Sequence, residues 1–205
     1  MRYFIVLVGL FISHTCFAQF VKGIKAGLSS SRIEVDEIIN GSAFRTGDAI
    51  LGYHAGLFGR YYLGALYIQP EAVFTTSGGE IEVTPPSNQM APPSPYTLEI
   101  SYNKIDIPLL LGIRFARFFR VQAGPTGSIL LAAEQKNNAT GATMDILDNY
   151  KQLTIAYQAG FGVDFGKLVV DLKYEDNLSD FGDQVGGFNT DQRNSQILLS
   201  LGYIF

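Results

Sequence analysis

Cysteine is almost missing from this chain: its one residue, Cys16, lies within the first eighteen positions. Beyond that segment a disulfide framework, thiolate chemistry and a cysteine-ligated metal are all excluded. Tryptophan is absent altogether, and the only histidine past position 18 is His54. Positive charge is scarce too. Fifteen Lys and Arg stand against nineteen Asp and Glu, a formal charge of −4 with a pI near 5.1. Nucleic acid is excluded as a partner by that balance, since it demands a basic face. Long apolar runs are lacking beyond the N-terminal segment, which, at a mean hydropathy of +0.14, excludes a bundle of membrane helices. A membrane β-barrel is compatible with the same value, because only every second strand residue meets lipid.

What is present begins with an export address. Arg2 supplies the positive start, residues 3–12 form a short apolar run, and Cys16-Phe17-Ala18 offers small residues at the −3 and −1 positions. The pattern is that of a signal peptide, residues 1–18, cleaved before Gln19. The run is too short to span a bilayer, which takes about twenty residues. A lipidated Cys16 opening a lipoprotein is the rival; Ser13-His14-Thr15 is a poor match to the small apolar residues that reading needs. Residues 19–205 then form one domain.

Within it, apolar and polar residues alternate in eight stretches, near 20–30, 49–61, 65–76, 102–115, 118–131, 153–165, 167–174 and 196–205. A period of two means strands. Tight turns at Tyr62-Leu63-Gly64, Ala116-Arg117 and Gly166 alternate with long polar segments at 31–48, 77–101, 132–152 and 175–195. Strict short–long alternation is the signature of an up-and-down transmembrane barrel with periplasmic turns and extracellular loops. The expected fold is therefore all-β, an eight-stranded antiparallel barrel. A soluble lipocalin-like barrel is the alternative, and it would need the apolar faces inside.

In stretch seven Leu168, Val170, Leu172 and Tyr174 share a face opposite Val169, Asp171 and Lys173. In stretch eight Ile197, Leu199, Leu201, Tyr203 and Phe205 oppose Gln196, Ser200 and Gly202. The polar faces point to a narrow lumen. Its expected charges are Lys25, Arg60, Arg114, Arg120 and Lys173 against Glu71, Asp106, Asp164, Asp171 and Glu175. Charges held away from water must pair, and eight strands leave an interior just wide enough for side chains. A plugged lumen without an open pore follows. Phe20, Tyr61, Tyr62, Phe118, Phe119, Phe165, Tyr203 and Phe205 are expected to form an aromatic girdle at the turn side.

The stretches Gly23-Ile-Lys-Ala-Gly-Leu-Ser, Gly52-Tyr-His-Ala-Gly-Leu-Phe, Leu66-Tyr-Ile-Gln-Pro-Glu, Asp106-Ile-Pro-Leu-Leu-Leu-Gly, Ala123-Gly-Pro, Gly160-Phe-Gly-Val-Asp-Phe and Leu201-Gly-Tyr-Ile-Phe occur in an order that covers nearly all of residues 19–205. In this the chain resembles the PorT-like outer-membrane β-barrel proteins of Bacteroidota. The stretch Tyr174-Glu-Asp-Asn-Leu-Ser-Asp departs from the family's usual glycine before that leucine, at a loop start. The resemblance implies the fold and an outer-membrane address. It implies lipid as surroundings, secretion-system proteins as partners of some relatives, and Phe205 as a signal read by the barrel-insertion machinery.

No residue is expected to be catalytic, and no metal or cofactor is expected. Catalysis at His54 would need Ser29, Asp48 or Ser77 beside it at the outer rim; a lumen histidine bonded to a neighbour is the preferred reading. The acidic segment 175–183 could hold calcium, but its spacing is not that of an EF-hand loop and it reads as a solvated loop. Proline at Pro85, Pro86, Pro92, Pro93 and Pro95 keeps that stretch out of a sheet. The segments Arg32-Ile-Glu-Val and Glu80-Ile-Glu-Val-Thr are expected to extend strands beyond the bilayer. No peptidoglycan-binding module is expected after Phe205. The functional expectation is a structural or interaction protein of the outer membrane; a secretion accessory and a barrel enzyme are the alternatives.

Overall fold

The computed structural model describes residues 19–39, 42–86, 94–116, 118–147, 152–178, 182–185 and 188–205. The export segment, the centre of the Pro-rich stretch and residues 179–181 of the acidic segment lie outside them. Eleven strands follow in order: β1 (Gln19–Glu34), β2 (Asp36–Ile39), β3 (Ser42–Leu63), β4 (Leu66–Thr84), β5 (Tyr96–Phe115), β6 (Phe119–Asn137), β7 (Thr143–Asp145), β8 (Leu153–Phe165), β9 (Leu168–Asn177), β10 (Gly182–Val185) and β11 (Phe188–Ile204). The eight long ones run β1-β11-β9-β8-β6-β5-β4-β3, and antiparallel pairing of β1 with β3 closes the ring. Closure leaves no free edge in the wall, which is what a bilayer requires of a sheet.

Turn chemistry marks one end of this cylinder. Gly64 (φ 70°) joins β3 to β4, and Gly166 (φ 64°) joins β8 to β9. Both sit in the left-handed region that glycine enters without steric cost. Ala116 takes the same region (φ 51°) in the turn after β5.

The side-chain parity of each strand is constant, but the chemistry on the two faces changes with height. Along β5 the outward residues from the turn upward are Phe115, Ile113, Leu111, Leu109, Ile107 and Ile105, against inward Gly112, Leu110, Pro108, Asp106 and Lys104. Above them the outward positions become Asn103, Ser101 and Glu99, and the inward ones Tyr102, Ile100 and Leu98. β4 swaps between Phe74 outside and Ile81 inside; β1 swaps between Leu28 outside and Ile33 inside. The apolar outer band from Phe115 to Ile105 runs about 33 Å along the strand, or about 25 Å once tilted, the height of a bilayer-facing belt. The strands then continue upward as an ordinary water-facing barrel whose inside is oily.

That oily cap consists of Ile33, Val35, Phe44, Ile81, Val83, Leu98, Ile100, Tyr102, Leu130, Ala133 and Ile146. It explains why the strands outrun the alternation read from sequence. The segments expected as loops at 31–48 and 77–101 largely extend β1, β3, β4 and β5, and the first six residues of 132–152 extend β6. Residues 32–34 and 80–84 are indeed strand above the bilayer. The segment 175–195 also begins inside the barrel, since β9 runs on to Asn177.

Prolines interrupt three successive ladders. Pairing of β3 with β4 stops at Phe58–Glu71 and resumes at Tyr61–Ile68, across Pro70. Between β4 and β5 it stops at Val73–Asp106 and resumes at Pro70–Leu109, across Pro108. Between β5 and β6 it skips from Pro108–Thr126 to Leu111–Ala123, across Pro125. Proline has no N–H to give, so each ladder loses a rung in the part of the wall that faces lipid.

Candidate functional site

The lumen is filled by ion pairs that the alternation of the strands aims inward. Near mid-height, Glu71 of β4 accepts Lys173 of β9 at 2.7 and 2.9 Å and also Lys25 of β1. Gln69 donates to the same carboxylate at 2.6 Å. Above it, Lys104 of β5 joins Glu175 at 2.7 Å and Asp106 at 3.2 Å. Glu175 also receives Gln158 at 2.5 Å and Gln196 at 2.6 Å, and Ser128 donates to Asp106 at 2.6 Å. Toward the turns, Arg120 of β6 bridges Asp164 (2.9 Å) and Asp171 (2.8 Å), while Arg60 of β3 reaches Asp164 at 3.1 Å and Gln69 at 2.5 Å. Arg114 lies over the Tyr62 ring, 4.2 Å from its centre.

Hydrogen bonds through Gln158 and Gln69 connect these groups into one network across the membrane-spanning height. Pairing satisfies ions that would otherwise be too costly to bury. With Lys104 counted, six inward cations face five inward carboxylates among the described residues. A small cavity of about 10 Å³ lies beside Lys25, His54, Glu71, Thr75, Asp106 and Lys173, room for a single water molecule.

All ten lumen residues named from the sequence face this interior, nine of them ion-paired and Arg114 stacked on an aromatic ring. Lys104, fully buried, was missed. The signal was there: it stands two residues before Asp106 and shares its face. Tyr62 does not belong to the girdle. It is 6% exposed, and its hydroxyl accepts from Arg60 Nη1 at 2.9 Å; the one-residue step from Tyr61 turns it inward. Of the remaining rings, Phe20 packs on Tyr61 at 4.5 Å and Phe118 on Phe119 at 4.6 Å, and Lys167 lies over Tyr203 at 5.6 Å. A second belt, not read from sequence, marks the outer interface: Tyr53 with Phe74, and Tyr157 with Tyr174.

His54 is 1% exposed and shares a 2.7 Å hydrogen bond through Nε2 with Ser200 of β11. Neither Ser29, Asp48 nor Ser77 is its partner. Ser29 donates to the Thr76 carbonyl at 3.2 Å, Ser77 accepts from Asn194 at 3.5 Å, and Asp48 is exposed. Glu175 is consumed by Lys104 and is not available to the acidic segment as a cation ligand. Among the described residues, no group of three His, Cys, Asp or Glu is arranged to hold a metal.

Comparison with curated protein sequences finds no match. Among solved structures the chain is similar to Ail, the attachment invasion locus protein of Yersinia pestis, in complex with the heparin analogue sucrose octasulfate. The identity is 16% and the TM-score 0.51, with 91% of this chain and 99% of that one covered. A second Ail structure gives 14% identity at the same TM-score and coverage. Neisserial surface protein A gives 8% identity and a TM-score of 0.49 over 90% of this chain and 97% of that one, and carries no argument here. The likeness to Ail shows the fold alone: a closed antiparallel barrel of eight strands. A family model described as outer membrane protein beta-barrel domain matches residues 17–183. That span takes in β1 to β9, lipid-facing wall and ion-filled interior together, and the chain belongs to the outer membrane protein beta-barrel domain family.

Proposed function

We propose that this outer-membrane barrel is a closed structural or interaction protein that acts through the part standing above the bilayer, neither conducting solutes nor catalysing a reaction. The observation that carries this reading is the unbroken ion network of the lumen, capped by an apolar core. A solute would have to break several buried pairs at once to pass. Purified barrel in planar lipid bilayers is expected to give no stepwise conductance, and liposomes containing it should not swell in small sugars. Stable conductance steps would overturn the reading. The burial of His54 and its commitment to Ser200 support the absence of catalysis. His54→Ala should leave the lipid composition of the outer membrane unchanged.

The finer reading is a PorT-like barrel of Bacteroidota that assists secretion through the outer membrane. The ordered motifs from Gly23 to Phe205 support it, as do strands rising above the bilayer as a platform for partners. Residues 1–18 serve as its signal peptide and Phe205 as its insertion signal in this reading. Crosslinking in cells should then recover translocon components with the barrel; recovery of the insertion machinery alone would refute the accessory role.

A further inference from the structure

A cylinder presents a convex wall to lipid, and a chain lying on it makes contact along one side only. Near the turn end this wall is not convex. There Leu66, Ile68, Leu111, Ile113, Val121 and Ala123, all pointing toward lipid, line a concavity of about 540 Å³. Ala123 is small, as is Ala159 paired with it on β8, where Leu111, Ile113 and Val121 beside it are large. On the lumen side Gly112 has no Cβ, and the Tyr67 ring lies in the space one would occupy. The β5–β6 ladder is missing its rungs between Leu111–Ala123 and Pro108–Thr126, directly above the concavity.

We propose that this concavity binds one acyl chain of a phospholipid in the periplasmic leaflet. The turn end places it in that leaflet, a point that rests on the membrane orientation of the proposed function but not on the barrel being closed. Its lining spans three residues along each of β4, β5 and β6, a length of about 7 Å, so it holds a segment of one membrane chain. The lining is apolar, so the chain itself is recognised, and by shape. Bulk lipid is equally oily, and selectivity arises from the extra dispersion contacts that a concave surface makes.

The test is native mass spectrometry of full-length barrel extracted in mild detergent. The wild type is expected to retain one phospholipid mass. Occupancy should fall about tenfold in Ala123→Phe, which fills the concavity, and should be unchanged in Ala26→Phe on the opposite wall. Wild type without bound lipid, equal retention in Ala123→Phe, a bound mass of lipid A or a dimer of barrels would each overturn the proposal. If Ala123→Phe does not fold, the absence of tryptophan supplies a second route. Ile113→Trp and Leu199→Trp each place a single reporter, the second far from the concavity. In vesicles containing brominated phosphatidylcholine, the reporter at 113 should be quenched at a lower mole fraction of brominated lipid than the one at 199. Coincident curves would refute the site.

Discussion

Replacing Glu71 by glutamine keeps the shape of the side chain and removes the single carboxylate on which Lys25 and Lys173 converge. Two ammonium groups, 6% and 3% exposed, are then left facing each other. Removing one partner of a buried pair costs about 3–5 kcal/mol. Repulsion between unit charges about 5 Å apart at an effective dielectric of about 20 adds about 3 kcal/mol. A ceiling applies, because one lysine can instead shed its proton. From an ordinary value near 10.4, that costs about 4–5 kcal/mol at pH 7. The expected destabilisation of Glu71→Gln is therefore about 4–5 kcal/mol at pH 7. The ceiling drops about 1.4 kcal/mol per pH unit, so the deficit should shrink to about 2 kcal/mol by pH 9. Equilibrium urea unfolding of the barrel in lipid vesicles, followed by far-ultraviolet circular dichroism and heat-modifiable gel mobility, measures both values. Adding Lys173→Met to Glu71→Gln should recover part of the loss, because the repulsion goes while Lys25 still lacks its carboxylate. A loss below about 1 kcal/mol at pH 7, the range of solvent-exposed pairs, would refute the reasoning. So would a deficit that does not shrink by pH 9, or a second substitution that adds to the first.

Lys104→Met is the mirror case. It leaves Asp106 and Glu175 without their shared cation and should cost about 3–5 kcal/mol at pH 7. Its deficit should shrink as pH falls and the carboxylates take up protons, the opposite slope to Glu71→Gln in the same unfolding assay. Gly112→Ala sets a methyl group against the Tyr67 ring and should cost about 1–3 kcal/mol; Tyr67→Leu in the same chain should remove most of that penalty. Leu109→Arg near mid-band should destabilise by about 2–4 kcal/mol and Phe115→Arg at the turn-side interface by about 0–1. Equal effects would misplace the bilayer band.

The two-residue period of β8, β9 and β11, with Asp171, Lys173 and Asp164 on one face and Leu168, Leu172 and Leu201 on the other, suffices for a barrel that is polar inside and apolar outside. It also suffices for the eight wall strands, though not for the short β2, β7 and β10, and for which residues face the lumen, because parity along a strand is a local property. Lys104 could have been found in the same way. Tyr62 falls outside the girdle because parity along β3, and not closeness to the turn, decides its face. Above the bilayer the rule inverts: Glu80, Glu82 and Glu99 face out while Ile81, Val83 and Leu98 face in, and a reader expecting apolar residues outside ends each strand too soon.

Partner choice is a different matter. Nothing in the order of residues says that Lys25 and Lys173, 148 positions apart, share Glu71, or that His54 meets Ser200 over Gly27 of the strand between them. Those pairings depend on how far each strand is shifted against the next around the ring, and on which side chains then arrive at one height. The same is true of the concavity at Ala123, built from three strands whose prolines break the ladder beside it. Sequence by itself decides the face a residue belongs to, since backbone geometry alternates faces whatever surrounds it. Only the closed barrel decides what that residue touches, because contact across the lumen depends on the accumulated register of eight strands.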